Sequence, residues 1–403
     1  MAKICILIPG HWDAAKGGSE YQAHCLAEYL ATTTGHEIIY LARELPARPK
    51  PYPYRLQQAP KVSPSYRYGL FWDTRSLTRA LEEMNPDIVI QRLASAYTAI
   101  GARYCRRHGK PFIWFIASDS DLTGRKTSWS PTNWPRKFDA WLAKRSIRSR
   151  KNAKDVMQII AQTSLQADIL RRRYGREAAE VIPNFHAVPE KTWTKPATFT
   201  VLWIANFKAG KRPEIFLQLA RDLESHTDIE FKMIGRVGDG EWERGLLSAM
   251  QGRSNFAYLG EMDFEAVNLE LERAHVLINT STFEGFSNTF IQAWMREAPV
   301  LTLNVDPDGV IEKFNLGVHA RSYENLRRSL LELYGDRAAL EKIGQDARHF
   351  AAEHYSMRTA NRIATLIDEL LPREDAASRT VAVAAVSVSG TRAPERVLRR
   401  LDQ

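Results

Sequence analysis

Three short segments bring together residue types able to hold an anion and a hydroxyl-rich ligand. The richest is Thr280-Ser281-Thr282-Phe283-Glu284-Gly285-Phe286-Ser287-Asn288-Thr289, which follows an apolar run and leads into Phe290, Ile291, Trp294 and Met295. That pattern predicts a helix apolar nearly all round, and so a buried one. At its start Gly285, Ser287, Asn288 and Thr289 would offer backbone or hydroxyl donors to a diphosphate, and Glu284 would accept bonds from hydroxyl groups. The plainer reading has Ser287 capping the helix and Glu284 favouring its dipole. The second segment is Gly17-Gly18-Ser19-Glu20, where Ser19 and Gln22 have capping-box spacing and the glycines let an anion approach the free N–H groups. The third is Asn206-Phe207-Lys208-Ala209-Gly210-Lys211-Arg212-Pro213. Its lysine would meet a diphosphate as a mobile point charge and its proline suits the first turn of a helix, although such basic loops are commonly just solvated.

Two further motifs are weighed and set aside. Asp119-Ser120-Asp121 follows a strand and has a spacing used elsewhere to hold a divalent cation, but turn and cap chemistry explains it as well. Gly235-Arg236-Val237-Gly238-Asp239-Gly240 lacks the dinucleotide-binding spacing and reads as a turn.

The elements that must position these residues alternate. Apolar runs at 3–9, 37–42, 87–91, 112–117 and 156–161 predict strands, with helices near 19–33, 73–84, 96–108 and 134–151 between them. The proline-rich stretch from Pro46 to Pro64 breaks the pattern and is expected to be a surface loop or edge excursion. A second series predicts strands at 199–205, 229–235, 256–259, 276–279 and 300–303, with helices near 213–225, 241–250, 264–273, 288–297 and 324–334. The fold class is therefore α/β with two Rossmann-like domains: residues 1–185, a polar linker 186–198, and residues 199–355. Residues 356–372 are expected to form a helix returning to the first domain, and 373–403 a disordered tail. Two open parallel sheets in tandem place a ligand crevice between them, at the carboxyl ends of their strands.

In this order the segments resemble the retaining glycosyltransferases of family 4, which have the GT-B fold of two Rossmann-like domains facing a central crevice. The resemblance covers roughly residues 3–371 and also rests on Val181-Ile182-Pro183-Asn184. It implies a nucleotide-sugar donor whose diphosphate meets Gly18, Lys211 and the residues Ser287, Asn288 and Thr289. Glu284 would approach the donor sugar, while Gly17, Asn206, Arg212, Arg236, Gly285, Phe286 and Gln292 would complete the donor pocket. Three departures stand out. Gln292 replaces the second glutamate of the family's E-x7-E motif, the arginine usually paired with the loop lysine falls at Asn206, and Ala117-Ser118-Asp119 stands where a histidine is common. Ser118 or Asp119 is the candidate to take that histidine's place near the reacting sugar, and Lys208 or Arg212 to supply the missing charge. The implied reaction retains anomeric configuration: the acceptor hydroxyl attacks from the face the diphosphate leaves, and the leaving phosphate oxygen serves as base. No metal and no cofactor beyond the donor substrate is implied.

Composition bounds the partners. The chain has 403 residues, a formal charge of +9 and three cysteines without metal-like spacing. A reduced, cytoplasmic protein without structural zinc is expected. The basic stretch from Arg136 to Lys154, interleaved with Trp134, Phe138 and Trp141, suggests peripheral contact with an anionic membrane at the inner face, or else a solvated helix with an aromatic core stripe. No nucleic-acid module is recognisable. The expected acceptor is a saccharide or lipid-linked saccharide meeting the first domain near His11-Trp12, Trp129 and Trp134. A GT-B-fold epimerase and a sugar-nucleotide-binding protein without turnover are the competing readings.

Overall fold

The computed structural model describes residues 1–15, 17–60, 73–123, 141, 144–147, 157–238, 240–248 and 252–372. Trp129, Trp134, Asp239, most of the basic stretch and the 373–403 tail lie outside these residues.

The first domain is built on seven parallel strands: β1 (Lys3–Gly10), β2 (Glu37–Glu44), β3 (Arg55–Gln58), β4 (Ile88–Arg92), β5 (Phe112–Phe115), β6 (Met157–Ala161) and β7 (Glu180–Val181). They run in the order β3-β2-β1-β4-β5-β6-β7. Helices α1 (Gly18–Thr33), α2 (Asp73–Met84), α3 (Ala96–His108), α4 (Asp119–Thr123) and α5 (Ser164–Tyr174) connect them. Strands covered by helices on both faces must be apolar on both, which is why β1 reads as a continuous run. Its period of two sends Cys5 and Leu7 into one buried layer and Ile4, Ile6 and Ile8 into the other. The proline-rich excursion contributes the edge strand β3, paired parallel to β2, and an edge is where prolines on either side are tolerated.

The second domain repeats the plan with six strands: β8 (Phe199–Ile204), β9 (Ile229–Ile234), β10 (Phe256–Gly260), β11 (Val276–Asn279), β12 (Val300–Thr302) and β13 (Gly317–His319), in the order β10-β9-β8-β11-β12-β13. Its helices are α6 (Pro213–Asp222), α7 (Glu241–Ser248), α8 (Phe264–Arg273), α9 (Asn288–Trp294), α10 (Val310–Lys313), α11 (Tyr323–Gly335) and α12 (Arg337–His354). Pro213 occupies the first helical position of α6. Helix α9 stops at Trp294, earlier than expected, because the chain turns through Glu297 at φ 57° and the Ala298 N–H returns to the Ala293 carbonyl. A last helix, α13 (Asn361–Leu370), packs Ile363, Ala364 and Ile367 into the first domain's core.

The link after residue 185 is not loose. Lys195 donates to the carbonyls of Leu271, Ala274 and Arg296, which places a cation on the end of α8, and Arg348 donates to the Pro189 carbonyl at 2.7 Å.

Candidate active site

In each sheet the strand order reverses at one point, between β1 and β4 and between β8 and β11. Loops that leave neighbouring strands in opposite directions open a crevice there. The four segments at these two reversals are the Gly17-Gly18 turn after β1, Arg92 at the end of β4, the Lys211 loop after β8 and the Glu284 loop after β11. They face one another across a cleft of about 460 Å³. Two other cavities, of about 470 and 570 Å³, lie behind the interdomain link and beneath α1, away from the strand ends of the second domain.

The Lys211 and Glu284 loops are stitched into one unit. The Thr280 hydroxyl donates to the Lys211 carbonyl at 2.6 Å and accepts from the buried Trp203 indole N–H at 3.0 Å. The Thr282 N–H donates to the Gly210 carbonyl at 2.9 Å. So fixed, Lys211 Nζ forms an ion pair with Glu284 Oε1, and the same oxygen accepts from the Ser281 hydroxyl at 2.8 Å. Both side chains are largely but not fully buried, at 29% and 15% exposure, so the pair can still be reached from the cleft.

Across the cleft the domains meet at glycines. A Cβ on Gly18 would lie 2.6 Å from Asn288 Nδ2, and one on Gly285 would lie 2.7 Å from Gln162 Oε1, so a side chain at either position would have to displace an amide of the other domain. Asn288 donates to the Gly18 carbonyl at 3.3 Å, while its Oδ1 accepts from Gln22 at 3.0 Å and adjoins His186 Nε2 at 3.2 Å. Asn184 donates to the Phe286 carbonyl at 2.6 Å and accepts from Arg92. An aromatic group closes one end: Trp12 packs edge-on against Tyr21 and Phe264, and Tyr21 stacks on Phe264 with centroids 4.6 Å apart.

The remaining expected residues divide. Gly17, Asn206, Phe286, Ser287, Thr289, Gln292 and Lys208 line the cleft. Phe286 does so at its backbone, its ring being buried against Tyr355. Gln292 donates to Asn268 on α8 at 2.9 Å, and the loop entering α8 carries Glu261 into the cleft. Arg212 and Arg236 do not line it. Arg212 sits at φ 50° as the N-cap of α6 with its guanidinium toward Glu214, and Arg236 is exposed, its backbone N–H donating to Asn206 at 3.1 Å and its carbonyl accepting from the Phe207 N–H at 3.0 Å. Of Lys208 and Arg212, it is thus Lys208 that lines the cleft beside Lys211. Asp119 accepts from Gln166 at 3.0 Å, and burial, with some repulsion from Glu284, raises its carboxyl above the ordinary range. Asp121 Oδ2 accepts from the Ala117 and Ser118 N–H groups, which is the turn chemistry weighed against a metal. Two capping expectations are corrected. Helix α1 starts one residue early, with Gly17 as N-cap and no side-chain cap, so Ser19 lies inside it; and the Ser287 hydroxyl pairs with Thr289 at 2.9 Å instead of capping α9.

Sequence reasoning missed Arg92, Gln162, His186 and Phe264, and took Asn184 only as part of the Val181-Ile182-Pro183-Asn184 motif, without a role. A signal existed for two of them: Arg92 and Gln162 are polar residues at or just past the carboxyl ends of apolar parallel strands, where a site is expected. His186 is buried, and desolvation pushes its pKa down to about 3, so it is a neutral hydrogen-bonding group.

The chain matches two family models, Glycosyltransferase Family 4 over residues 16–186 and Glycosyl transferases group 1 over residues 198–336, more than half of its length between them. No curated protein matches it in sequence. Among solved structures it is similar to WaaG, a glycosyltransferase involved in lipopolysaccharide biosynthesis, at 15% identity and a TM-score of 0.71, covering 90% of this chain and 99% of that one. It is also similar to the sucrose-phosphate synthase of Thermosynechococcus elongatus, at 17% identity and TM-score 0.69, covering 91% and 99%. HepE of Anabaena, in complex with UDP and glucose, matches at 16% identity and TM-score 0.65, covering 92% and 100%. These likenesses show the GT-B fold, and with two family models that fit its two domains in order, the chain belongs to the family 4, group 1 glycosyltransferases.

Proposed function

We propose that the cleft binds a nucleotide-sugar and transfers its sugar, with retention of configuration, to a saccharide or lipid-linked saccharide entering past the first domain. The observation that carries this reading is the Lys211–Glu284 pair, held on two stitched loops at one sheet's switch point and facing the Gly17-Gly18 turn at the other's. A mobile cation beside an immobile carboxylate suits the junction of a diphosphate with a sugar: Lys211 turns to the phosphates, and Glu284, released, accepts from the sugar hydroxyls. Gly17 N–H, at the start of the 16-residue α1, and the hydroxyls of Ser287 and Thr289 add donors for the charge that builds on the departing diphosphate. Gln292 and Glu261 are placed to hold ribose hydroxyls, Glu261 supplying the carboxylate that position 292 lacks.

Retention rests on the family resemblance. In that mechanism the acceptor O–H bond and the sugar–phosphate bond break as the new glycosidic bond forms on the same face, and the proton passes to the leaving phosphate oxygen. Asp119, whose carboxyl burial raises above its ordinary range, is the first-domain carboxylate that feels the charge of Glu284, and Ser118 beside it lines the cleft. No side-chain nucleophile and no metal is needed in this scheme, since Lys211, Lys208 and the α1 N-terminus supply positive field. HepE, crystallised with UDP and glucose, supports a donor of this class. We place the reaction at the cytoplasmic side of a membrane as a working reading; among the described residues no helix is long and apolar enough to cross one.

The test is thermal stabilisation by a panel of nucleoside diphosphates and their sugars, for wild type, Lys211→Ala and Glu284→Ala. A ligand that binds only the folded state raises Tm by mass action. One base family should stabilise wild type and lose most of its effect in Lys211→Ala. No shift with any base at millimolar concentration would overturn the reading. Turnover of the bound donor to an epimer without acceptor would instead establish the epimerase.

A further inference from the structure

Arg92 is a guanidinium built into the floor of the cleft with its charge unmatched. It closes β4, a strand buried at every position, and is itself only 8% exposed while lining the cleft. Its Nη2 donates to the neutral amide of Asn184, the neutral amide of Gln162 adjoins it, and its Cζ lies 5.6 Å from the centre of the Phe115 ring. Its Nε is buried without any hydrogen-bond partner. Among the described residues no carboxylate lies within ion-pairing distance of it. The carboxylate that acts on it most strongly, that of Asp121, is occupied by two backbone N–H groups of its own turn. Burial therefore outweighs what the protein offers in return, and pulls the arginine down to about 10.

A buried, unpaired arginine with an idle N–H is expensive to keep for structure alone, because a neutral amide would satisfy Asn184 without the desolvation. The same group is inexpensive when an anion completes it, and the planar fork of guanidinium suits a carboxylate or phosphate. The donor diphosphate has its own cations on the opposite wall, Lys211 and Lys208. We infer that Arg92 reads a second anionic group, a carboxylate or phosphate carried by the transferred sugar or by the acceptor, on the first-domain side of the cleft. This rests on the donor reading above, and it narrows the substrate class from neutral to acidic saccharides.

The experiment uses the full chain and the base that the nucleotide panel selects. Calorimetry compares wild type with Arg92→Gln for two matched pairs: the nucleotide-glucuronate against the nucleotide-glucose, and glucose 6-phosphate against glucose with the nucleoside diphosphate present. Wild type should prefer one acidic member over its neutral partner by about tenfold or more, the scale of a charge-assisted hydrogen bond. Arg92→Gln should abolish that preference while changing nucleoside diphosphate affinity by less than about threefold. A preference in the first pair places the anion on the donor sugar, and one in the second places it on the acceptor. Equal binding of acidic and neutral members by wild type, a preference that survives Arg92→Gln, or a proportional loss of nucleoside diphosphate binding in the variant would each overturn the inference. Wild type that binds no nucleoside diphosphate would overturn the donor reading itself, and this inference with it. If the glutamine variant does not fold, Arg92→Met, which refills the volume without charge, takes its place with the same outcomes.

Discussion

Glu284→Gln should tighten the binding of a free nucleoside diphosphate. The ion pair with Lys211 must open before the lysine can reach a phosphate, so Glu284 competes with the ligand for the same ammonium. Exposed pairs are worth up to about 1 kcal/mol, and this one, at 29% and 15% exposure, lies toward the upper end. Removing the competitor should thus gain about 1 kcal/mol, roughly fivefold in Kd, since 1.4 kcal/mol corresponds to tenfold. Lys211→Ala should go the other way by about 1.5–3 kcal/mol, the worth of a hydrogen bond to a charged group, or roughly ten- to 150-fold. With the nucleotide-sugar in place of the diphosphate, the gain in Glu284→Gln should shrink or reverse, because the carboxylate then has sugar hydroxyls to hold. Isothermal titration of both ligands against the three proteins measures all of this in one series. If Glu284→Gln weakens the free diphosphate as much as Lys211→Ala does, the pair is a joint binding element and the competition argument is wrong.

Two further outcomes follow from the geometry. Gly285→Ala should loosen the contact between domains by about 1–3 kcal/mol, the cost of overpacking, because its Cβ would meet Gln162 and Gln166 of the first domain at 2.7 and 3.0 Å. Nucleotide affinity should fall with a small change in Tm, and X-ray scattering should show a larger radius of gyration; an unchanged radius and affinity would contradict this. Stability should also fall in acid, because His186, His11 and His275 are held neutral by burial, at about 3, 4 and 4, against about 6.5 in the unfolded chain. The unfolded chain therefore binds protons that the folded one refuses as pH drops from about 6.5 toward 4, costing up to about 1.4 kcal/mol per pH unit for each histidine. Urea midpoints should decline as pH falls below 6.5, less steeply in His186→Gln, whereas an identical slope in that variant would discount His186.

The alternation of strand and helix was legible because both sheets are covered on both sides, so most central strands are dominated by apolar residues, as in the run from Ile4 to Ile8. Of the four edge strands only β10 was legible. The strands β3, β7 and β13 have only two to four residues, half exposed, and no periodicity to find. The Lys211 and Glu284 loops could be picked out because glycine, lysine and hydroxyl residues cluster within each. The Gly18–Asn288 and Asn184–Phe286 contacts join positions more than a hundred residues apart, and no local pattern encodes them. Arg212 and Arg236 show the converse, charges in the expected loops that do not line the cleft.

The chain crosses between its domains twice, and the crossings lie side by side. His186, leaving the first domain, donates its backbone N–H to the Tyr355 carbonyl at 2.9 Å and bridges to Ser356, where the chain sets out to return. A single tether would leave two bodies free to tumble about a point. Two strands fastened together act as the pin of a door, leaving one axis of swing and suppressing twist. The far side of α13 is anchored to the first domain by Arg362 to Glu180 and by Asp368 to His36 at 3.0 Å, so the pin is fixed in both leaves. A paired crossing of this kind fixes the register in which Gly18 meets Asn288 and Asn184 meets Phe286.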